Sequence, residues 1–378
     1  MLVACGTLAG LALSPKLWIA SRSYPLAPLF ANLPGPGHPL DLVLLAAFAL
    51  AVAAVALVSR PLAAIAVAFC LGALLVCFDQ SRLQPWFYQY LLMLGALACF
   101  YSSADSGRRA AALDACRLLL ASIYFWSGAG KINAHFASDV LPWVAQAALQ
   151  AFPRMLPIFI RWGSAAPFLE AGIGVALLFP RSRPAAIAAA IAMHGLLLLA
   201  LGPLGRNDNN VVWPWNLLMI AVVMVLFART DDLPARAILL PGGPAIRLAA
   251  AFFAVLVPAM SLAGLWDNYP GWSLYSGNKD EVNYYLTDAL FDRLPEEMQD
   301  YVHEYRPELG RLNLYEWSWS ELNVPVYPEL RVYRRVAKVL CGYATSPGDL
   351  RMVVQRKAVW RRNPRPAIEA DCQSLPIP

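Results

Sequence analysis

The sequence predicts an all-α polytopic membrane helical bundle of eight or nine transmembrane helices with a small C-terminal α+β extracytoplasmic domain. Three observations predict it. First, the 378 residues are 59% hydrophobic and only 15% charged, with a mean hydropathy of +0.50. A soluble domain averages about 25% charged and 45–50% apolar residues. Second, the charge is unevenly divided: residues 1–265 hold 16 Lys/Arg and 9 Asp/Glu, whereas residues 266–378 hold 14 and 16. Third, the first part is a succession of apolar runs of about 20 residues with little internal charge, the length that crosses a bilayer as a helix. These features exclude an ordinary cytosolic enzyme, a disordered chain and a disulfide-dense secreted scaffold. The expected division is a transmembrane domain over 1–265 and a cap domain over 266–378.

Eight spans are expected, over 41–59, 62–78, 86–102, 112–131, 164–180, 185–203, 211–228 and 247–265. Pro61, Pro85, Pro180 and Pro184 punctuate them, as tight turns between paired helices require. Residues 1–20 form a ninth candidate, interrupted at Ser14-Pro15-Lys16. This segment lacks the basic start and small-residue cleavage site of a signal peptide. Residues 138–160, broken at Pro142, Pro153 and Pro157, read as a re-entrant or interfacial amphipathic stretch.

Arginine and lysine in short loops set orientation. Arg60, Arg108, Arg109, Arg181, Arg183, Arg229, Arg236 and Arg247 fall in one set of loops. Lys16, Arg22, Arg82, Arg154, Arg161 and Arg206 fall in the other, which is longer. The denser set is expected to face the cytoplasm, which puts residues 266–378 in a periplasm or lumen. The polar segments Asp79–Trp86, Lys131–Phe136 and Arg206–Asn210 then share the outer side with that domain and suggest one extracytoplasmic site.

Ionisable groups within spans are costly and tend to face a cavity or one another. Residues 1–265 contain two lysines and one glutamate against fourteen arginines, which singles out Lys131 and Glu170; His194 joins them. Tyr124, Ser127, Gly128, Lys131 and His135 recur at three- or four-residue spacing and share one helix face. Gly128 and Gly130 let a helix or a ligand approach the backbone. Burial disfavours the charged form of an amine, and a neutral amine serves as a general base; the alternative for Lys131 is an anchor that snorkels at a helix end. Glu170 and His194 fall roughly 9–14 Å below the outer surface, at about 1.5 Å per residue, and could pair or line one cavity. Their structural alternatives are an ion pair or protonated carboxyl for Glu170, and a satisfied core histidine for His194. Asn207, Asn209 and Asn210 read either as a plain loop before the tryptophan belt of Trp213 and Trp215 or as ligands for a polar headgroup. Asp79 and Arg82 read as a loop ion pair or as part of the same site.

Four histidines (His38, His135, His194 and His303) are too dispersed for a metal or haem site, and no metal is expected. There is no Cys-x-x-Cys, metalloprotease helix, phosphate-binding loop or nucleophile elbow, and no basic nucleic-acid patch. In the cap, 282–286 and 350–354 read as strands and 296–305 and 328–341 as helices. Its two cysteines, Cys341 and Cys372, are expected to form a disulfide if the domain is extracytoplasmic. Cys5, Cys70, Cys77, Cys99 and Cys116 lie in apolar runs or at span ends and read as small hydrophobes.

The segment Tyr124-Phe-x-Ser-Gly-x-x-Lys131-Ile-Asn-Ala resembles the lysine-bearing helix of vitamin K-dependent γ-carboxylases. It is also similar to bacterial members of the wider horizontally transferred transmembrane (HTTM) family. Glu170-Ala-Gly-Ile-Gly-x-x-Leu-Leu-Phe-Pro-Arg-x-Arg183, followed by His194, resembles the next helix pair of that pattern. Weaker similarity extends to DoxX/MauE-type membrane proteins. The likeness covers roughly residues 80–230, and it departs at Gly130, where the carboxylase helix has a second lysine. The resemblance implies a quinol or related lipophilic substrate bound near the outer leaflet. Lys131 would be the base, with Tyr124, Glu170 and His194 lining the cavity. Two other functions stay open: a non-catalytic accessory that supports a redox or peptide partner on the outer side, and a transporter with Glu170 and His194 as proton-relay residues.

Overall fold

The computed structural model describes every residue except 31–32, 152–153, 155, 208, 231, 358–366 and 376–378. The first helices are α1 (Leu2–Leu13), α2 (Pro15–Trp18), α3 (Leu40–Leu57), α4 (Leu62–Phe78), α5 (Pro85–Tyr101) and α6 (Ser106–Gly130). There follow α7 (Leu141–Ala151), α8 (Leu156–Gly163), α9 (Ala166–Leu178), α10 (Arg183–Leu201) and α11 (Val212–Phe227). Next come α12 (Ala235–Leu239), α13 (Pro244–Ala251) and α14 (Val257–Leu262). The remainder runs β1 (Glu281–Thr287), α15 (Asp288–Phe291), α16 (Glu296–Gln299), β2 (Val302–Arg306), β3 (Leu309–Leu312), α17 (Leu314–Leu322), α18 (Leu330–Cys341), β4 (Leu350–Gln355) and β5 (Ile368–Asp371).

The protein is mostly helical, and all nine apolar runs read from the sequence contain helix. Among the described residues, four helices are long and apolar enough to cross a membrane: Leu40–Leu57, Ser106–Gly130, Arg183–Leu201 and Pro244–Leu262, the last being α13 and α14 joined by a π-turn. Leu2–Leu13, Leu62–Phe78 and Val212–Phe227 are apolar but shorter. In the 138–160 stretch, Pro157 occupies the second position of α8, where a missing N–H costs no helical hydrogen bond, and Pro142 follows a π-turn over Phe136–Val140 that runs directly into α7. Pro153 lies outside the described residues.

Two compact units make up the chain, and they interleave in sequence. One holds 1–13, 48–71 and 85–278; the other holds 14–47, 72–84 and 279–378. Neither coincides with the 1–265 and 266–378 segments defined by charge.

In the first unit α6 packs on α5 and α9, and α10 packs on α9 and α11. Asp105 starts α6 by accepting the Arg108 N–H at 2.8 Å, which satisfies one of the unpaired donors of the first turn. On its buried side α6 meets the last apolar helix through a specific polar contact. Pro258 has no N–H for the carbonyl four residues back, Ala254. The Ser122 Oγ takes that carbonyl at 2.6 Å and the Trp126 Nε1 takes it at 3.0 Å.

The second unit carries a five-stranded antiparallel sheet in the order β2-β3-β1-β4-β5. β1 alternates as strands with one buried face do, with Val282, Tyr284 and Leu286 inside. α18 buries Val332, Tyr333, Val336, Ala337 and Leu340, and the Tyr284 hydroxyl donates to the Tyr333 carbonyl at 2.7 Å. Cys341, at the end of α18, is bonded to Cys372 just after β5. The expected helix over 296–305 is corrected: only Glu296–Gln299 is helical, and Val302–Arg306 is strand β2, paired with β3. Pro307 disfavours helical backbone at Arg306, and Glu308 takes a left-handed φ of 66° that turns the chain into β3.

Glu321 organises part of this unit. Its carboxylate accepts the Ser23 and Tyr24 N–H groups at 2.7 Å each and the Trp317 Nε1 at 3.1 Å. Burial by itself raises this carboxyl's pKa, but hydrogen bonds from Ser23 and Tyr24, helped by Lys16, outweigh it and leave the pKa below the ordinary value. A depressed carboxyl stabilises the fold above its unfolded pKa of about 4.3, and the contribution is lost as pH falls through the folded value. Glu321→Gln is therefore expected to lower the thermal midpoint of the full-length protein at pH 7. The gap to wild type should close as pH falls from the ordinary carboxyl value through the lower folded one; a gap unchanged at acid pH would assign the effect to shape rather than charge.

Candidate functional site

The first unit gathers the polar groups singled out in the sequence into two clusters, both built on one face of α6. Lys131 follows the last helical residue, and its N–H closes on the Gly128 carbonyl at 3.0 Å. Its ammonium reaches the two Glu170 oxygens of α9 at 2.9 and 2.7 Å and the Ser127 Oγ at 2.7 Å. The lysine and glutamate side chains are 13% and 14% exposed, so the pair is largely desolvated yet reachable. All three ammonium protons are engaged.

The second cluster lies one turn deeper. The Tyr124 hydroxyl is 2.8 Å from His194 Nε2 of α10, and His194 Nδ1 is 2.7 Å from Asn216 Oδ1 of α11. Asn216 Nδ2 donates to the Val212 carbonyl at 2.7 Å. That last bond fixes the amide, so Oδ1 accepts from Nδ1–H; in the neutral imidazole Nε2 then accepts from the Tyr124 hydroxyl. All three side chains are buried. Glu170 and His194 thus do not pair with each other; each has its own partner on α6 or α11. In low-dielectric surroundings, removing one member leaves a buried polar group unpaired, at a cost of about 1–3 kcal/mol. His194→Leu and Asn216→Leu are each expected to lower the melting point of purified protein, and Tyr124→Phe to do so less. Equal melting points for all three variants and wild type would show that the chain contributes nothing to stability.

Gly128 does not face a ligand. A Cβ there would lie 2.4 Å from the Ala171 nitrogen and 2.5 Å from the Pro167 oxygen, both backbone atoms of α9. Gly174 answers from the other helix, with the Ala121 carbonyl 2.5 Å from its would-be Cβ. This close approach, of the small-residue kind common between membrane helices, brings Glu170 within reach of Lys131. Gly130 instead faces Ser273. Asn133 was missed as a positioning residue: its amide bonds the Gly130 carbonyl at 2.9 Å and the Ser276 carbonyl at 2.8 Å. Residues 268–278 are thereby tied to the end of α6. In that segment Trp272 and Tyr275 have φ of 62° and 56°, values that bulky side chains rarely adopt. Among the described residues the buried Trp272 Nε1 has no hydrogen-bond partner. His135, on the expected Tyr124–His135 face, is exposed and binds Asp139 at 3.1 Å.

The asparagines separate. Asn207 is exposed; Asn209 is buried and donates to the Tyr275 hydroxyl. The Asn209 and Asn210 carbonyls accept the Val212 and Trp213 N–H groups that lead into α11. Asn207 and Asn209 have φ of 52° and 49°, which asparagine tolerates better than most residues. Their shared role is to turn the chain. Trp215 donates to the buried Gln89 at 2.7 Å, so it is anchored to α5 as well as apolar.

Asp79 and Arg82 belong to the second unit, and their expected ion pair is corrected. Asp79 pairs with Arg22, with both side chains fully buried. Arg82 sends its guanidinium to the Leu17, Leu75 and Trp18 carbonyls at 2.8–3.0 Å. Burial pushes the Arg82 pKa down to about 10, against the opposing pull of Asp79. Arg22 also bonds the Tyr24 and Leu17 carbonyls at 2.9 Å each, and its separation of 57 positions from Asp79 gave no sign of the pairing.

Asn216 and Gln89 were also overlooked, although each is an amide inside an apolar run, the signal that had marked His194. Among the described residues no group of three or more His, Cys, Asp or Glu could hold a metal ion. Compared with protein-family models, with curated proteins and with solved structures, the chain matches none.

Proposed function

We propose that the protein is an HTTM-like integral membrane enzyme acting on a quinol or similar lipophilic substrate, with Lys131 and Glu170 as its acid–base pair. The shorter apolar helices would also cross the bilayer, giving eight or nine spans, and residues 266–378 would lie in a periplasm or lumen. The observation that carries the reading is the partly reachable Lys131–Glu170–Ser127 cluster at the end of α6. With every ammonium proton engaged, Lys131 becomes a base only after passing one proton to Glu170; the amine then accepts the phenolic proton of the substrate. A quinol oxygen is also an acceptor, and the buried Trp272 indole N–H is a donor with no partner among the described residues. An apolar cavity of about 280 Å³ beside Ala115, Leu119 and Phe253 suits a prenyl tail. It begins about 18 Å along α6 from Lys131, twelve residues at about 1.5 Å each.

The test is mass spectrometry of quinones and lipids retained by purified protein, followed by turnover assays of Lys131→Ala and Lys131→Arg. A retained quinone and loss of turnover in both variants are expected. Unchanged turnover in both would remove Lys131 from the chemistry. One observation favours the accessory function instead: an ammonium with all its protons bound is the usual state of a structural lysine. That reading expects no turnover and co-purification of a redox or peptide partner. The proton-relay reading is disfavoured, because the chain from Tyr124 through His194 ends on Asn216, an amide that does not titrate.

A further inference from the structure

Far from Lys131, the first unit holds an open polar cavity of about 600 Å³ that the proposed chemistry does not use. Arg117, Arg229, Thr230 and Asp232 line it. Arg117 precedes Lys131 by fourteen residues on α6, about 21 Å along the axis at about 1.5 Å per residue, and the other three follow the end of α11. Arg117 is the twelfth of the 25 residues of α6, so the cavity lies beside the middle of that helix and at the end of α11, where the apolar run gives way to the exposed Arg229 and Asp232.

Its walls are built rather than incidental. Arg117 is 12% exposed; its Nε bonds the Leu226 carbonyl at 2.7 Å and its Nη1 bonds Asp114 at 2.6 Å. Among the described residues its Nη2 has no partner. The buried Arg183 holds the neighbouring backbone through the Thr230 and Leu233 carbonyls, and the Thr230 hydroxyl donates to Phe227 at 2.7 Å. Arg229 and Asp232 are exposed at the lip, with no bond of their own among the described residues. The cavity thus offers a fixed guanidinium N–H from Arg117, an exposed guanidinium from Arg229 and the exposed Asp232 carboxylate.

That set matches a ligand with one phosphodiester anion and one primary ammonium. Guanidinium groups bind phosphate oxygens strongly, and basic pockets at membrane boundaries recognise phospholipid headgroups. We propose that this cavity binds the headgroup of phosphatidylethanolamine, with its phosphate on Arg117 and Arg229 and its ammonium on Asp232. Phosphatidylglycerol offers no ammonium to the carboxylate, and the choline headgroup has no N–H to donate.

Native mass spectrometry of the delipidated full-length protein, titrated with phosphatidylethanolamine, phosphatidylglycerol or phosphatidylcholine, tests this. Parallel titrations use inorganic phosphate and O-phosphoethanolamine. The wild type is expected to retain one phosphatidylethanolamine per chain in preference to the other two lipids. Arg229→Gln should reduce that retention about fivefold, and Asp232→Asn should erase the preference while phosphatidylglycerol still binds. Arg117→Gln also removes the bonds to Leu226 and Asp114, so the two lip variants carry the test. Equal retention of all three lipids by the wild type, or unchanged retention in Arg229→Gln, would overturn the proposal. So would Arg229-dependent binding of phosphate without lipid, which would make this a soluble-anion site.

Discussion

Gly128→Ala is expected to destabilise the helical unit measurably, and Gly128→Leu to prevent it from forming. A methyl at this position would sit 2.4–2.5 Å from two backbone atoms of α9, and backbone cannot rotate out of the way as a side chain can. The helices must separate instead, and overpacking of this kind costs about 1–3 kcal/mol even for modest additions. Separation also draws Glu170 away from Lys131, so packing and electrostatics fail together. Gly172, on the same helix α9, provides the control: nothing lies within 4 Å of its would-be Cβ, and Gly172→Ala should be silent or slightly stabilising. Thermal melting of detergent-purified protein with a size-exclusion profile reads both. Equal melting points for Gly128→Ala and Gly172→Ala would refute the close α6–α9 contact.

The second large effect is expected at the ion pair. Removing one member of a desolvated pair leaves the other uncompensated, at about 3–5 kcal/mol. Lys131→Met and Glu170→Gln should each lower the melting point by several degrees. The double variant should recover most of the loss, because no unpaired charge remains. Melting of the two single variants and the double variant gives the coupling, and strictly additive losses would contradict the pairing. Turnover separates the roles. A stable double variant that has lost activity makes the pair chemical; one that keeps activity makes it a structural staple.

How far the sequence revealed this arrangement depended on which physical rule governed each residue. Apolar runs and punctuating prolines located the helices, because hydrocarbon leaves the backbone no other partner. The rarity of Lys131 and Glu170 marked them, and the helical spacing of Tyr124, Ser127 and Lys131 placed them on one face. Which groups would pair was not legible. Glu170 and His194 lie in adjacent spans and looked like partners, yet the α6–α9 approach at Gly128 gave Glu170 to Lys131, and Asn216 on α11 gave His194 a different neighbour. Arg22 and Asp79 show the same limit, since a pairing across 57 positions leaves no local periodicity. In the sheet, β1 and β4 were visible through alternation, while β2 was hidden by exposed polar residues and emerged only through its hairpin with β3.

The carbonyl that Pro258 leaves free has a mechanical consequence. Ser122 and Trp126 of α6 both converge on this one oxygen of Ala254. Sliding α6 along its axis by even one residue, about 1.5 Å, would strand that oxygen among apolar side chains at a cost of several kcal/mol. The helix that carries Lys131 at its end is thus pinned against piston motion at the Ala254 carbonyl.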